Sequence, residues 1–147
     1  MNVLIYVCVI IAGALNAVQS GSNAQLARSL EKPWAVGLIV SLATALTFLV
    51  GMVLSGQGFP QISKLAATPW WAWLGGFFGA AFVASTLFFA HRLGSGLFMG
   101  LTIAAAILAS IVVDHFGLVG FKTHPAGLWR LLGAFLMIAG LGLVARF

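Results

Sequence analysis

The chain is 147 residues long, 62% hydrophobic and 6% charged, with a net charge of +5 and a mean hydropathy of +1.13. A soluble domain carries about a quarter charged residues, so seven Lys and Arg with two Asp and Glu exclude a water-exposed surface of this size and leave an integral membrane protein. The basic residues are scattered singly rather than clustered as nucleic-acid phosphates require, and the lone Cys8 excludes a disulfide scaffold or a cysteine-rich metal site.

A helix crosses the hydrocarbon in about 20 apolar residues, and blocks of that kind follow one another along the whole chain. The first covers 3–26. No Lys or Arg precedes its apolar run, unlike a secretory signal peptide, so a retained helix is expected. Its second half holds Asn16, Gln19, Ser20 and Asn23, which at 100° per residue fall on one arc about 100° wide. Carboxamides in lipid must be hydrogen-bonded, so this arc is expected to face the bundle interior or a wet cavity. It offers donors and acceptors to a polar solute, making Asn16, Gln19, Ser20 and Asn23 the candidate substrate-binding residues, with interhelical bonding as the alternative role.

The second block, 34–54, follows Glu31, Lys32 and Pro33 and carries Gly37, Ser41 and Ala45 at spacing four. The third, 70–90, opens behind Pro69 with Trp70, Trp71 and Trp73 and contains Gly75 and Gly79. The fourth, 94–113, contains Gly96, Gly100 and Ala104 and ends at Asp114 and His115; the fifth covers 128–145. Small residues spaced by four allow close helix approach, so Gly75, Gly79, Gly96 and Gly100 are read as packing positions. Tryptophans, Trp34 and Trp129 included, gather near span starts, where the amphipathic ring favours the interface. Pro33, Pro60, Pro69 and Pro125 all fall in the breaks, so no broken central helix is signalled. The breaks leave no room for a soluble domain, and residues 1–147 read as one transmembrane domain.

Asp114 beside His115 suits an anchor for the fourth helix end; the pair is also the candidate for proton coupling or gating, since a histidine titrates near neutrality. Neither acidic residue lies centrally in a span, which argues against a mid-membrane proton switch. No catalytic constellation, phosphate loop or metal-ligand spacing is present, so neither an enzyme nor a cofactor is expected.

Lys64, Lys122 and Arg130 fall on one side of the membrane and Arg28, Lys32, Arg92 and Arg146 on the other. This near balance barely biases insertion. Weak bias arises in small proteins, and it also fits dual topology, in which two oppositely inserted copies supply in trans the inverted repeat of many transporters.

The runs GALNAVQSGSNAQL (13–26), PWWAWLGGFFGAAFV (69–83), DHFG (114–117) and RLLGAFLMIAG (130–140) resemble the YdcZ-type inner-membrane exporters, a five-helix bacterial branch of the drug/metabolite transporter superfamily. The resemblance covers nearly the whole chain, and Gln19 with Asn23 and the DHFG run are its most specific parts. It implies an antiparallel pair of five-helix units. Ala106 stands where the family resembles itself in a glutamine, eight residues before the aspartate, which shifts weight onto Asn16, Gln19 and Asn23.

The expected protein is thus an all-α bundle of five transmembrane helices in the bacterial inner membrane, paired as an antiparallel homodimer in an inverted-repeat ten-helix assembly. Its expected partners are the lipid bilayer, a second copy and a small-molecule substrate, with no nucleic acid. The expected activity is export of a small polar or amphipathic metabolite or drug by alternating access; the alternatives are a passive dual-topology channel and a non-transporting subunit of a larger complex.

Overall fold

The computed structural model describes residues 2–146, without the side chain of Asn2; Met1 and Phe147, the ends of the expected domain, lie outside the described residues. Among the described residues every regular element is helical, and five stretches are long and apolar enough to cross a membrane: Val3–Leu30, Pro33–Leu54, Trp70–Leu93, Ser95–Phe116 and Leu128–Arg146. By contacts the chain divides into two compact units, Met1–His91 and Arg92–Phe147.

In the first unit, helix α1 (Asn2–Leu30) continues past the expected end at Leu26, because nothing between Leu26 and Leu30 breaks helical hydrogen bonding. It stops at Glu31, which takes φ 53° while its N–H still donates to the Ala27 carbonyl at 3.0 Å. Pro33 then opens helix α2 (Pro33–Leu54) at its first position, where proline's missing N–H costs nothing. A single-turn helix α3 (Ile62–Ala66) interrupts the following break.

The third span is composite. It starts as a tight 3-10 turn at Trp70–Trp73, runs as α4 (Leu74–Ser85), loosens into a π turn at Thr86–Ala90 and ends as α5 (His91–Leu93). The proline pattern signals no break here, and none of the usual proline kinks is used. The cause is local: the Ser85 and Thr86 hydroxyls both donate to the Phe82 carbonyl, at 2.7 and 3.1 Å, and the Thr86 N–H reaches the same oxygen. Such back-bonding competes with the helical ladder and bends helices.

The core of this unit is small. Ala27, Val36 and Leu87 form it, with Val40 and Val83 packed against it. Most large side chains on the spans stay exposed, Leu38, Phe48 and Phe77 among them, as a surface solvated by lipid tails allows.

In the second unit, Gly94 (φ 82°, ψ 152°) caps helix α6 (Ser95–Phe116), holding a backbone conformation that essentially only glycine adopts. Helix α6 ends in a left-handed Gly117, a common helix C-terminus. A 3-10 turn at Leu118–Gly120 follows, with Val119 at φ 57°, and an extended stretch leads to helix α7 (Leu128–Arg146). Helices α6 and α7 pack together; a Cβ at Gly100 would run into the Leu141 side chain of α7.

Candidate functional site

The polar arc of α1 divides between two environments. Ser20 and Asn23 are buried, at 3% and 9% exposure, and with Ala24 and Ala27 they form an i, i+3, i+4, i+7 stripe. That stripe is the packed face of the helix: Ala27 at its end belongs to the core cluster with Val36 and Leu87, and α1 packs along the π turn, whose Thr86, Leu87 and Ala90 are buried in turn. Among the described residues no buried side-chain nitrogen or oxygen lacks a hydrogen-bond partner.

Asn16 and Gln19 lie on the same arc where the packing thins: Asn16 is one turn before Ser20, nearer the helix N-terminus, and Gln19 is at the arc's margin. With Val9, Ala12, Gly13 and Leu15 they line a shallow, largely open groove on the surface of α1. Gln19 is exposed and Asn16 half-buried. Asn16 is also the central residue of this 29-residue helix. The four amide and hydroxyl side chains therefore share one helix but not one cavity.

The π turn was not signalled by proline or glycine. Its sequence trace is the Ser85-Thr86 pair, whose hydroxyls can reach back to the preceding turn. Thr86 is 1% exposed, a buried hydroxyl beside the polar half of α1 that the helical arc alone does not reveal.

Asp114 and His115 sit at the end of α6 and hold the following loop. The Asp114 carboxylate lies 3.4 Å from Arg130 of α7, its backbone carbonyl accepts the His124 N–H at 2.8 Å, and His115 Nδ1 accepts the Ala126 N–H at 3.0 Å. Arg130 also donates to the His124 carbonyl at 3.3 Å. This clamp has an electrostatic and a hydrogen-bonded half.

The glycines read as packing positions differ in what surrounds them. Gly100 meets Leu141, whereas a Cβ at Gly75, Gly79 or Gly96 would find open space within 4 Å. Gly37, on the second span, lies 3.4 Å from Leu87 by the same measure.

No curated protein and no solved structure matches the chain. The family model described as "Putative inner membrane exporter, YdcZ" matches residues 4–143, nearly the whole sequence and all five apolar spans. That is an exporter family rather than an enzyme family, and the long apolar helices agree with it. The chain belongs to the YdcZ family of inner-membrane exporters and is a multi-pass inner-membrane protein.

Proposed function

We propose that the protein exports a small polar or amphipathic solute by alternating access, as an antiparallel homodimer in which each copy supplies the inverted half of a ten-helix assembly. The observation that carries this reading is the pair Asn16 and Gln19: two amides lining an open groove on a membrane-crossing helix of 29 residues centred on Asn16. Transporters bind their solutes near the bilayer midplane at the interface between repeats, and an exposed amide at that depth is costly unless a solute, water or a second copy satisfies it. Asn16 and Gln19 contact the solute, while Ser20 and Asn23 fix α1 against the π turn so that the amides keep their direction. Gly75, Gly79 and Gly96, with open space above them, serve close approach of a second copy. Asp114 and His115 act as the gate, opening and closing the α6–α7 loop.

Two measurements test this. A reporter cysteine placed after Phe147 in a Cys8→Ser background, labelled with an impermeant thiol reagent in intact and lysed cells, should react from outside in about half of the molecules, as equal insertion in both directions requires. Labelling of all or none overturns the homodimer. For the solute site, Asn16→Ala and Gln19→Ala should lower export in a drug-and-metabolite efflux screen while the protein still inserts; unchanged efflux in both removes the site.

A further inference from the structure

The second unit contains an open cavity between α6 and α7 that shares Asp114 with the proposed gate but whose remaining lining the export reading does not use. It measures about 430 Å³ and is lined by Ile107, Ser110, Ile111 and Asp114 of α6 and by Arg130, Gly133, Ala134 and Met137 of α7. Its two ends differ in chemistry. Asp114 and Arg130 form a charged end, 3.4 Å apart and each partly open to solvent; Ile107, Ala134 and Met137 form an apolar end. From Asp114 to Ile107 is about two helical turns, or about 10 Å. Asp114 lies in the last turn of α6 and Arg130 in the first turn of α7, so the charged end sits at the membrane surface and the apolar end reaches into the hydrocarbon.

The geometry points to a binding site for an amphipathic zwitterion: an anionic oxygen group and an ammonium close together, carried on an apolar chain. Charge balance selects this class. A lone carboxylate or phosphate drawn to Arg130 would meet the Asp114 carboxylate a few ångströms away, and a lone ammonium drawn to Asp114 would meet the guanidinium; each like-charge approach disfavours the charged form. A zwitterion meets both groups with opposite charge and brings no net charge into a partly dehydrated site. The donors are available. Arg130 uses Nη1 for Asp114 and for the His124 carbonyl, which leaves Nε and Nη2 without a partner among the described residues, and Ser110 donates to the Ile107 carbonyl at 2.8 Å so its oxygen lone pairs remain free to accept from an ammonium. The volume falls within the range of about 300 to 1,000 Å³ typical of small-molecule sites. Occupation would pull Arg130 and Asp114 apart and so loosen the loop clamp they share.

Two sources present this chemistry: a free apolar amino acid, and the phosphate and ammonium of a phosphatidylethanolamine headgroup. The test uses the full chain in nanodiscs of pure phosphatidylglycerol and reads binding rather than transport, so it stands or falls apart from the proposed export activity. Labelled L-leucine is added to one sample; in a second, phosphatidylethanolamine is mixed into the bilayer and retained lipid is read by native mass spectrometry. Retention of either zwitterion is expected, with leucinamide and 4-methylpentanoate, which carry one charge each, competing at least about tenfold more weakly, as loss of one charged hydrogen bond implies. Leucine binding that persists in phosphatidylethanolamine identifies a free solute; selective lipid retention that displaces leucine identifies the headgroup. Asp114→Asn and Arg130→Gln should each weaken binding about tenfold for the same reason. Because these variants also disturb the clamp, Gly133→Val provides a second reading: a Cβ there meets nothing within 4 Å, so the larger side chain fills the cavity, leaves both charges in place and should abolish binding. Failure to retain either zwitterion, equal binding of a singly charged analogue, or wild-type binding by Gly133→Val overturns the proposal.

Discussion

The polar half of α1 and the junction of α6 with α7 solve the same problem in different ways. Both place polar groups in a chain that is 62% hydrophobic. On α1 the groups are amides and a hydroxyl from the helix centre onward, Ser20 and Asn23 among them packed and Asn16 and Gln19 left open; at the α6–α7 junction they are ionisable side chains that lie at helix ends and tie down a loop. The difference follows membrane depth. A charge in the hydrocarbon is costly, whereas an amide needs only a hydrogen-bond partner, so neutral groups are retained at depth and ions at the surface. The deep groups are therefore suited to contact a solute and the surface groups to hold a connection.

This contrast can be broken first in the α1 region. Leu87→Ala should cost about 2 kcal/mol, near the lower end for buried leucines, since lipid removes much of the transfer penalty and leaves the lost packing; unfolding in mixed detergent micelles measures it. The loss should fall on the first unit and leave the Asp114 to Arg130 pair intact. Gly94→Ala should cost about 1 to 3 kcal/mol, the strain of a disfavoured backbone conformation, by the same assay. At the junction, Gly117→Ala should destabilise by about 1 to 2 kcal/mol, because Gly117 has φ +61° and an added Cβ would lie 2.6 Å from Thr123 Oγ1; hydrogen exchange of the His124 and Ala126 amides should rise. Asp114→Asn should cost only about 0.2 to 1 kcal/mol, as for a solvent-accessible ion pair, with faster exchange confined to the loop. Asn16→Ala should change stability by no more than about 0.5 kcal/mol, as for a substitution outside the packed core, while lowering export. A large stability loss there would move Asn16 from the solute groove to the packed face and erase the contrast.

Much of the membrane architecture was legible in the sequence, because lipid imposes an obligatory length, excludes unpaired backbone and draws Trp and Pro to span edges. The helix ends were less so: Leu26 and Leu30 are both compatible with a helix, and only the left-handed Glu31 marks the stop. The arc of Asn16, Gln19, Ser20 and Asn23 was visible from helical spacing, but its division was not, since spacing says which residues share a face and not where a neighbour's edge falls. The π turn escaped because it depends on hydroxyls of Ser85 and Thr86 choosing the Phe82 carbonyl, a choice among rotamers rather than residue types. The cavity between α6 and α7 escaped for a similar reason: Asp114 and Arg130 were each readable as interfacial charges, while their meeting depends on how an eleven-residue connection folds back between Phe116 and Leu128.

The π turn at Thr86–Ala90 also stores a spare residue within the third span. A π turn closes one residue later than an α turn, so a one-residue deletion inside it can be absorbed by reverting to ordinary helix, whereas the same deletion in α2 or α6 would rotate everything beyond it by about 100° and carry buried side chains to the lipid face. Among the described spans, this one can lose a single residue and keep its register.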